Sequence, residues 1–345
     1  MQSEIIKFNK ILVANRGEIA IRILRAISEL NIKTVAIYTY EDRYSLHRYK
    51  ADEAYMVGNE EEPLSPYLDI EAVISVAKRK NVDAIHPGYG FLSENAEFAQ
   101  RSIEAGLNFV GPSPEAIRIM GSKTLARERV QERGVQCTPG CASGLSDQEL
   151  ATRAAEIGFP VLIKAVAGGG GRGMKVATTA EELKNLLPRA RAEAEKFFSN
   201  PDVYLEKYIE QPRHVEVQVF GDKHGNIVHM GTRECSVQRR HQKLIEEAPA
   251  PFLSDDLRSR IHEAAVNAAR SVDYYNAGTV EFLVSNNDYY FLEMNTRIQV
   301  EHPVSEEVTG IDLLALQLKV AMGEAFDFKQ EDIIFSGHSI EYRIY

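Results

Sequence analysis

Three cysteines in 345 residues are too few for a disulfide framework. Cys137 and Cys141 bracket a Pro-Gly turn and Cys235 stands alone. A thiolate metal site would lack ligands, so reduced thiols are expected. No apolar run approaches bilayer-spanning length, and the N-terminal MQSEIIKFNK is too polar for a secretory signal. Positive charge is scarce: 40 Lys and Arg against 50 Asp and Glu leave a net charge of -10. This argues against a general binder of nucleic acid or anionic membrane, while leaving room for a local basic pocket. Internal repeats and low-complexity segments are absent. The expectation is a soluble, cytoplasmic globular protein, 44% hydrophobic and long enough for two or three domains.

The first third alternates strand-like and helix-like blocks. KILVAN, KTVAIYT, DAIHPG and NFVG read as strands, and GEIAIRILRAISEL, LDIEAVISVAKRK and ENAEFAQRSIEAG as helices between them. That rhythm predicts a doubly wound parallel sheet with helices on its faces. The turn after the first strand, Asn15-Arg16-Gly17-Glu18, has one glycine, so the dinucleotide fingerprint is missing. PSPEAIRIMGSKTLARERVQERG reads as one helix stopped at Gly134, and a domain boundary is placed near 114–135. Residues 203–245 then look antiparallel, with strands VYLEKYI, HVEVQVFG and IVHMGTREC, and EFLVS and YYFLEMN follow. The fold class is therefore α/β followed by α+β. The chain closes on GHSIEYRIY, a strand-like run with no tail, as though cut short.

EMNTRIQVE, residues 293–301, alternates Glu293, Asn295, Arg297, Gln299 and Glu301 with Met294, Thr296, Ile298 and Val300. In an extended chain this makes one polar and one apolar face. Asn286-Asn287-Asp288 is a turn signal. With the loop centred on Asn287, Val284 faces Tyr290, Phe282 faces Leu292 and Glu281 faces Glu293. Opposed carboxylates repel unless a cation bridges them. Oxygen ligands point to Mg²⁺ or Mn²⁺, with Asn295 adding another oxygen. The alternative is a solvated hairpin whose glutamates stay apart. Arg297 has the fork to grip a small planar oxyanion, Gln299 adds a donor and Glu301 has the chemistry of a base.

The loop AVAGGGGRGMK, residues 165–175, matches GxGxxG at Gly168, Gly170 and Gly173, but a glycine run meets that pattern cheaply. Met174 stands where a Walker motif needs lysine. The loop joins strand to strand, so it reads either as a mobile linker or as a glycine hairpin closing over phosphates with Arg172 and Lys164. RECSVQRRHQK, residues 233–243, is basic in an acidic chain: a solvated charge run, or an anion site using Gln238, His241 and Lys243.

Taken together, VANRGEIAIRI, HPGYGFLSEN, FVGPSPEAI, AGGGGRGMK, RHVEVQVFGD, SVQRRHQKLIEEAPAP, NAGTVEF and EMNTRIQVEHPVSEE closely resemble the biotin carboxylase component of biotin-dependent carboxylases, which are ATP-grasp enzymes. The resemblance runs from about residue 7 to the end. It implies an N-terminal Rossmann-like domain over 1–120 and an ATP-grasp region over 121–345. Within the latter, 135–205 would be a lid carrying the glycine loop and 206–345 an incomplete central part.

The implied reaction joins ATP and bicarbonate into carboxyphosphate and passes the carboxyl group to biotin. By resemblance, Lys123, Lys164, Gly170, Gly171 and Met174 serve the ATP phosphates, and Glu206, Lys207 and Ile209 the adenine. His214, Gln238 and His241 lie around the nucleoside, and Glu281, Glu293 and Asn295 hold Mg²⁺, two ions in all. Lys243, Arg297, Gln299 and Val300 hold bicarbonate, Glu301 deprotonates it and Arg343 stabilises the biotin enolate. Implied partners are a biotin carboxyl carrier, a carboxyltransferase and a second copy of the chain, met through Arg25 and Glu29. Tyr342 stands where the resemblance has cysteine, and its bulk is expected to shift Arg343. SLHRYKADEAY resembles pyruvate carboxylases and EMNTRIQVEHPV acyl-CoA carboxylases, leaving the final acceptor open. A different ATP-grasp carboxylate–amine ligase and a nucleotide-binding module without turnover are the competing readings.

Overall fold

The structure is a computed structural model and describes residues 5–59, 61, 63–166, 174–240 and 242–344. Four strands of the first third, β1 (Lys10–Val13), β2 (Lys33–Tyr38), β3 (Glu53–Met56) and β4 (Ala84–His86), join β5 (Asn108–Phe109) in one parallel sheet of order β3-β2-β1-β4-β5. The helices between them are α1 (Gly17–Glu29), α2 (Leu46–Lys50), α3 (Ile70–Arg79) and α4 (Ala96–Glu104). In α1 the buried residues Ile19, Ile23 and Ile27 recur every four positions, which places one stripe against the sheet. Strands β1 and β4 are buried along almost their whole length, as expected of a parallel sheet covered on both faces.

The predicted single helix after Ser113 is two, α5 (Pro114–Gly121) and α6 (Lys123–Gln131). Ser122, with φ -99° and ψ 113°, breaks the run and turns Lys123 to the head of the second helix. Gly134, at φ +74°, follows the end of α6.

A small three-stranded sheet comes next, of order β7-β6-β8, from β6 (Val161–Ala165), β7 (Lys175–Ala177) and β8 (Val203–Lys207). It carries α7 (Asp147–Ile157) and α8 (Ala180–Phe198). The run VYLEKYI therefore pairs with β6 rather than with the strand that follows it. Residues 167–173, with Gly168, Gly170, Gly171, Arg172 and Gly173, lie outside the described residues, as does His241.

The largest sheet has order β13-β12-β9-β10-β11-β14. Its strands are β9 (Arg213–Gly221), β10 (Ile227–Arg239), β11 (Gln242–Ala248), β12 (Asn276–Ser285), β13 (Asp288–Asn295) and β14 (Ser339–Tyr342). Every neighbour pair in it is antiparallel. Helix α9 (Asp255–Arg270) covers one face of this sheet. Helices α10 (His302–Thr309) and α11 (Leu313–Ala321) lie towards the parallel sheet, where α11 and α1 share a core. Among the described residues, no helix is long and apolar enough to cross a membrane.

Candidate active site

The hairpin β12–β13 turns on Asn286 and Asn287, at φ +52° and +62°. A two-residue turn with both central residues left-handed suits asparagine and matches strand twist. It sets Ser285 opposite Asp288, Val284 opposite Tyr289 and Phe282 opposite Phe291. The predicted partners Tyr290 and Leu292 are each one residue out, because the loop holds Asn286 and Asn287 rather than the three residues Asn286, Asn287 and Asp288. A bulge between Glu281 and Phe282 absorbs the difference, so Glu281 does face Glu293.

The ladder ends at Asn295, which corrects the expected alternating face over 293–301. Residues 296–300 leave the strand, and Glu301 is the N-cap residue of α10, with Pro303 in its first turn. The polar residues converge by chain reversal rather than by pleat. Arg297 donates through Nε to Glu94 Oε2 at 2.8 Å and through Nη2 to Asn295 Oδ1 at 3.1 Å. Gln299 donates through Nε2 to Glu281 Oε1 at 3.0 Å. Val300, the next residue in the chain, is half-buried.

Lys243, on β11, is the centre. Its ammonium meets Glu281 at 2.9 Å, Glu301 at 2.7 Å and also Glu216. Three N–H groups thus meet three buried carboxylates. Burial alone would push the ammonium down; Glu216, Glu281 and Glu301 outweigh it and hold its pKa well above the ordinary value. Burial would raise Glu216, but Lys243 and then Arg233 bring it down to about 2. Glu281 is lowered despite burial by Lys243 and His214. It also accepts Asn295 Nδ2 at 2.9 Å, and His214 Nε2 lies 2.9 Å from its other oxygen. His214, assigned by resemblance to the nucleoside, therefore stands among these carboxylates.

Glu293 opens to solvent at its rim but is crowded by protein. The loss of surrounding water, then the charge of Glu281, hold its carboxyl above its ordinary value against the pull of Lys123. Two facing acids of which one resists ionisation are a donor set that a hard divalent cation would relieve.

Beneath the centre lies Arg233, wholly buried. It donates to Glu216 at 2.5 Å, Gln218 at 2.8 Å, Ser305 at 3.0 Å, Thr279 at 3.0 Å and Gln299 at 2.8 Å. All five guanidinium donors are used, which is what makes a buried charge tolerable.

Across the cleft, Lys164 on β6 meets Glu206 at 2.6 Å, and Arg127 on α6 meets the other Glu206 oxygen at 3.1 Å. Lys123 is lowered by burial, then by the charge of Lys164. Lys207 donates to the carbonyls of Gly158 and Phe159 at 3.0 and 2.8 Å, and Ile209 follows two residues on. Gln238 donates to Cys235 O at 2.8 Å and pairs with Lys243 across β10 and β11. Met174, half-buried, stands just before β7.

Arg343, directly after β14, lies 2.9 Å from Glu301 and 2.6 Å from Glu246. Tyr342, the residue before it, is 63% exposed. Arg25 and Glu29 form an exposed ion pair on α1 at 2.8 Å.

The reading from sequence missed Glu94, Arg127, Glu216, Arg233 and Glu246. Glu216 had a signal: His214, Glu216 and Gln218 alternate with Val215, Val217 and Val219, a polar face on a strand at the centre of a sheet. Glu94 and Arg127 reach the site only through tertiary approach.

Residues 7–117 match the family described as biotin carboxylase, N-terminal domain, and residues 122–329 that described as carbamoyl-phosphate synthase L chain, ATP binding domain. Biotin carboxylase of Nostoc sp. is 52% identical over 343 residues, covering 98% of this chain and 76% of that protein. The chain belongs to the biotin carboxylase family. Pyruvate carboxylase of Bacillus subtilis is also 52% identical, over 342 residues that make up 97% of this chain but 30% of that protein. The chain thus spans about three quarters of the biotin carboxylase and less than a third of the pyruvate carboxylase. The biotin carboxylase–β-γ-ATP complex from Campylobacter jejuni superposes with a TM-score of 0.93 at 47% identity, covering 98% of this chain and 76% of that one. The biotin carboxylase domain dimer of Hydrogenobacter thermophilus 2-oxoglutarate carboxylase, in complex with MgADP, ADP and bicarbonate, gives 0.91 at 48%, with 97% and 74% covered. The ATP-grasp biotin carboxylase architecture expected from sequence is thereby shown.

Proposed function

We propose that this chain carries the biotin carboxylase half-reaction, in which ATP and bicarbonate form carboxyphosphate and ADP, and the carboxyl group passes to a ureido nitrogen of biotin as inorganic phosphate leaves. One observation carries the reading: an ammonium, Lys243, stands between Glu301, the candidate base, and Glu281, the candidate metal ligand, with Arg297 on the adjacent turn. Bicarbonate has one acidic proton and three oxygens. Lys243, Arg297, Gln299 and the Val300 amide supply donors for the oxygens, and Glu301 takes the proton as a bicarbonate oxygen attacks the γ-phosphorus of ATP. The Pγ–O bond to ADP breaks as the new one forms.

Glu281 and Glu293, with Asn295, would hold Mg²⁺, and a second ion would share the same carboxylates. Such ions neutralise phosphate charge. Lys123 and Lys164 would receive the phosphates, with Gly170, Gly171 and Met174 on the loop beside them. Glu206, Lys207 and Ile209 would face adenine, and His214, Gln238 and His241 the nucleoside. Glu206 holds Lys164 when no nucleotide does so, and phosphate would take over that lysine. Arg343 would then face the biotin enolate oxygen. Biotin would arrive on a carrier protein or domain, and a carboxyltransferase would take the carboxyl group onward. Arg25 and Glu29 mark the face proposed for a second copy.

The test is transfer of labelled bicarbonate to free biotin. Label appearing in biotin only with MgATP present is expected. MgATP binding seen by calorimetry without any transfer would instead favour a nucleotide-binding module. Transfer to a different amine acceptor would favour another ATP-grasp ligase.

A further inference from the structure

Arg343 touches two acids through one nitrogen. Its Nη2 donates to Glu301 Oε2 at 2.9 Å and lies 2.6 Å from Glu246 Oε1. Its main chain is fixed by the bond from its amide to Leu244 O at 3.0 Å, on the same strand as Glu246. Glu246 is wholly buried, so it cannot swing to water. Burial holds the Glu246 carboxyl above its ordinary value, and the Arg343 guanidinium is the group that pulls it back down.

The other groups around this pair are also acidic. Glu341 stands directly opposite Glu246 in the β11–β14 ladder, and Glu18 on α1 feels the charge of Arg343. Burial, then the charges of Glu246 and Glu301, hold the Glu341 carboxyl up at about 7. Arg233 adds a positive charge from beneath.

We propose that Glu246 is the positioning residue for Arg343: it keeps the guanidinium beside the reacting centre when Glu301 loses its charge. The inference rests on the biotin carboxylase reading. When Glu301 accepts a proton, its attraction for Arg343 collapses. The carboxylate of Glu246 does not change at that step and remains within contact distance. Arg343 is then tethered from below and turns towards the oxygen of biotin that gains charge as the phosphate released from carboxyphosphate takes the proton of the ureido nitrogen.

The experiment compares Glu246→Gln with the unsubstituted full-length protein, using free biotin, MgATP and bicarbonate. The amide keeps the shape and removes the charge. Expected is a fall in kcat/KM for biotin on the order of tenfold to a hundredfold, with KM for ATP and the melting temperature unchanged. Glu341→Gln leaves the Arg343–Glu246 contact intact and is expected to stay within about twofold. If Glu246→Gln does not fold, Glu246→Asp, which keeps the charge one methylene further back, should raise KM for biotin without raising KM for ATP. Unchanged biotin kinetics in a folded Glu246 variant, or equal losses for biotin and ATP, would overturn the proposal alone. A full-length protein with no biotin-dependent turnover would overturn the reading beneath it as well.

Discussion

Lys243 is one residue on which three others depend. Replacing it by methionine leaves Glu216, Glu281 and Glu301 facing each other in a buried space. Breaking a buried pair by removing one partner costs about 3–5 kcal/mol, so Lys243→Met should lower the unfolding free energy by about that much. Adding Glu216→Gln should restore part of it, and chemical denaturation measures both. The sign of the pH dependence follows from the same residues. Glu216 is lowered from 4.5 to about 2, so its contribution is full above the ordinary value and is lost as pH falls through that window. Lys243 is raised, so its contribution is present below the ordinary lysine value and vanishes only far above it. Denaturation midpoints measured from pH 5 to pH 2 should therefore fall less steeply in Glu216→Gln than in the unsubstituted protein. Parallel slopes would contradict the assignment.

The residue types themselves were legible: the carboxylates, the amides and Arg297 all stood in one short run of sequence. How they meet was not legible. Alternation of polar and apolar residues looks the same in a strand and in the irregular turn that follows it, and the pattern gave no sign that the ladder stops at Asn295. Pro303, in the first turn of α10, was the local sign of a helix start.

At the scale of elements, the β12–β13 hairpin fixes the distance between its two acids by a turn and a bulge. Asn286 holds φ at +52°. A β-branched residue there should destabilise the hairpin by roughly 1–2 kcal/mol; Asn286→Gly should be tolerated, and urea unfolding of Asn286→Val and Asn286→Gly distinguishes them. At the Glu293 carboxyl, held above its ordinary value by burial and by Glu281, protons compete with a cation as pH falls. Mn²⁺ affinity, followed by paramagnetic relaxation of water, should weaken as pH falls through the Glu293 titration, and Glu293→Gln should remove that dependence. An unchanged metal titration in the variant would argue against the hairpin as the metal site. The sheets were readable at this scale because the periods of hydrophobicity differ between parallel and antiparallel halves. The pairing of β8 with β6 was not, since sequence neighbours are the default partners and a strand gives no local sign of skipping one.

For the whole molecule, the N-terminal part of the chain reaches the reaction centre through Glu94. Glu94, in the loop after β4, holds Arg297 at 2.8 Å and accepts the amide of Thr296 at 3.1 Å. Glu94→Gln should raise KM for bicarbonate several-fold while leaving MgATP affinity unchanged, and steady-state kinetics with calorimetry separates the two. The βαβ order of the N-terminal sheet was plain from sequence, but its purpose was not. A loop glutamate some 200 residues from its arginine leaves no trace in local pattern.

In the proposed reaction Glu301 would take the proton of bicarbonate while Lys243 and Arg297 hold the anion in place. That role of Glu301 is tested most directly by measuring inorganic phosphate release from MgATP, with bicarbonate and biotin each added or withheld, in the unsubstituted protein and in Glu301→Gln. Release should need bicarbonate, rise with biotin and be abolished in the variant while MgATP still binds. Equal release without bicarbonate, or a Glu301→Gln protein that turns over like its parent, would contradict that role.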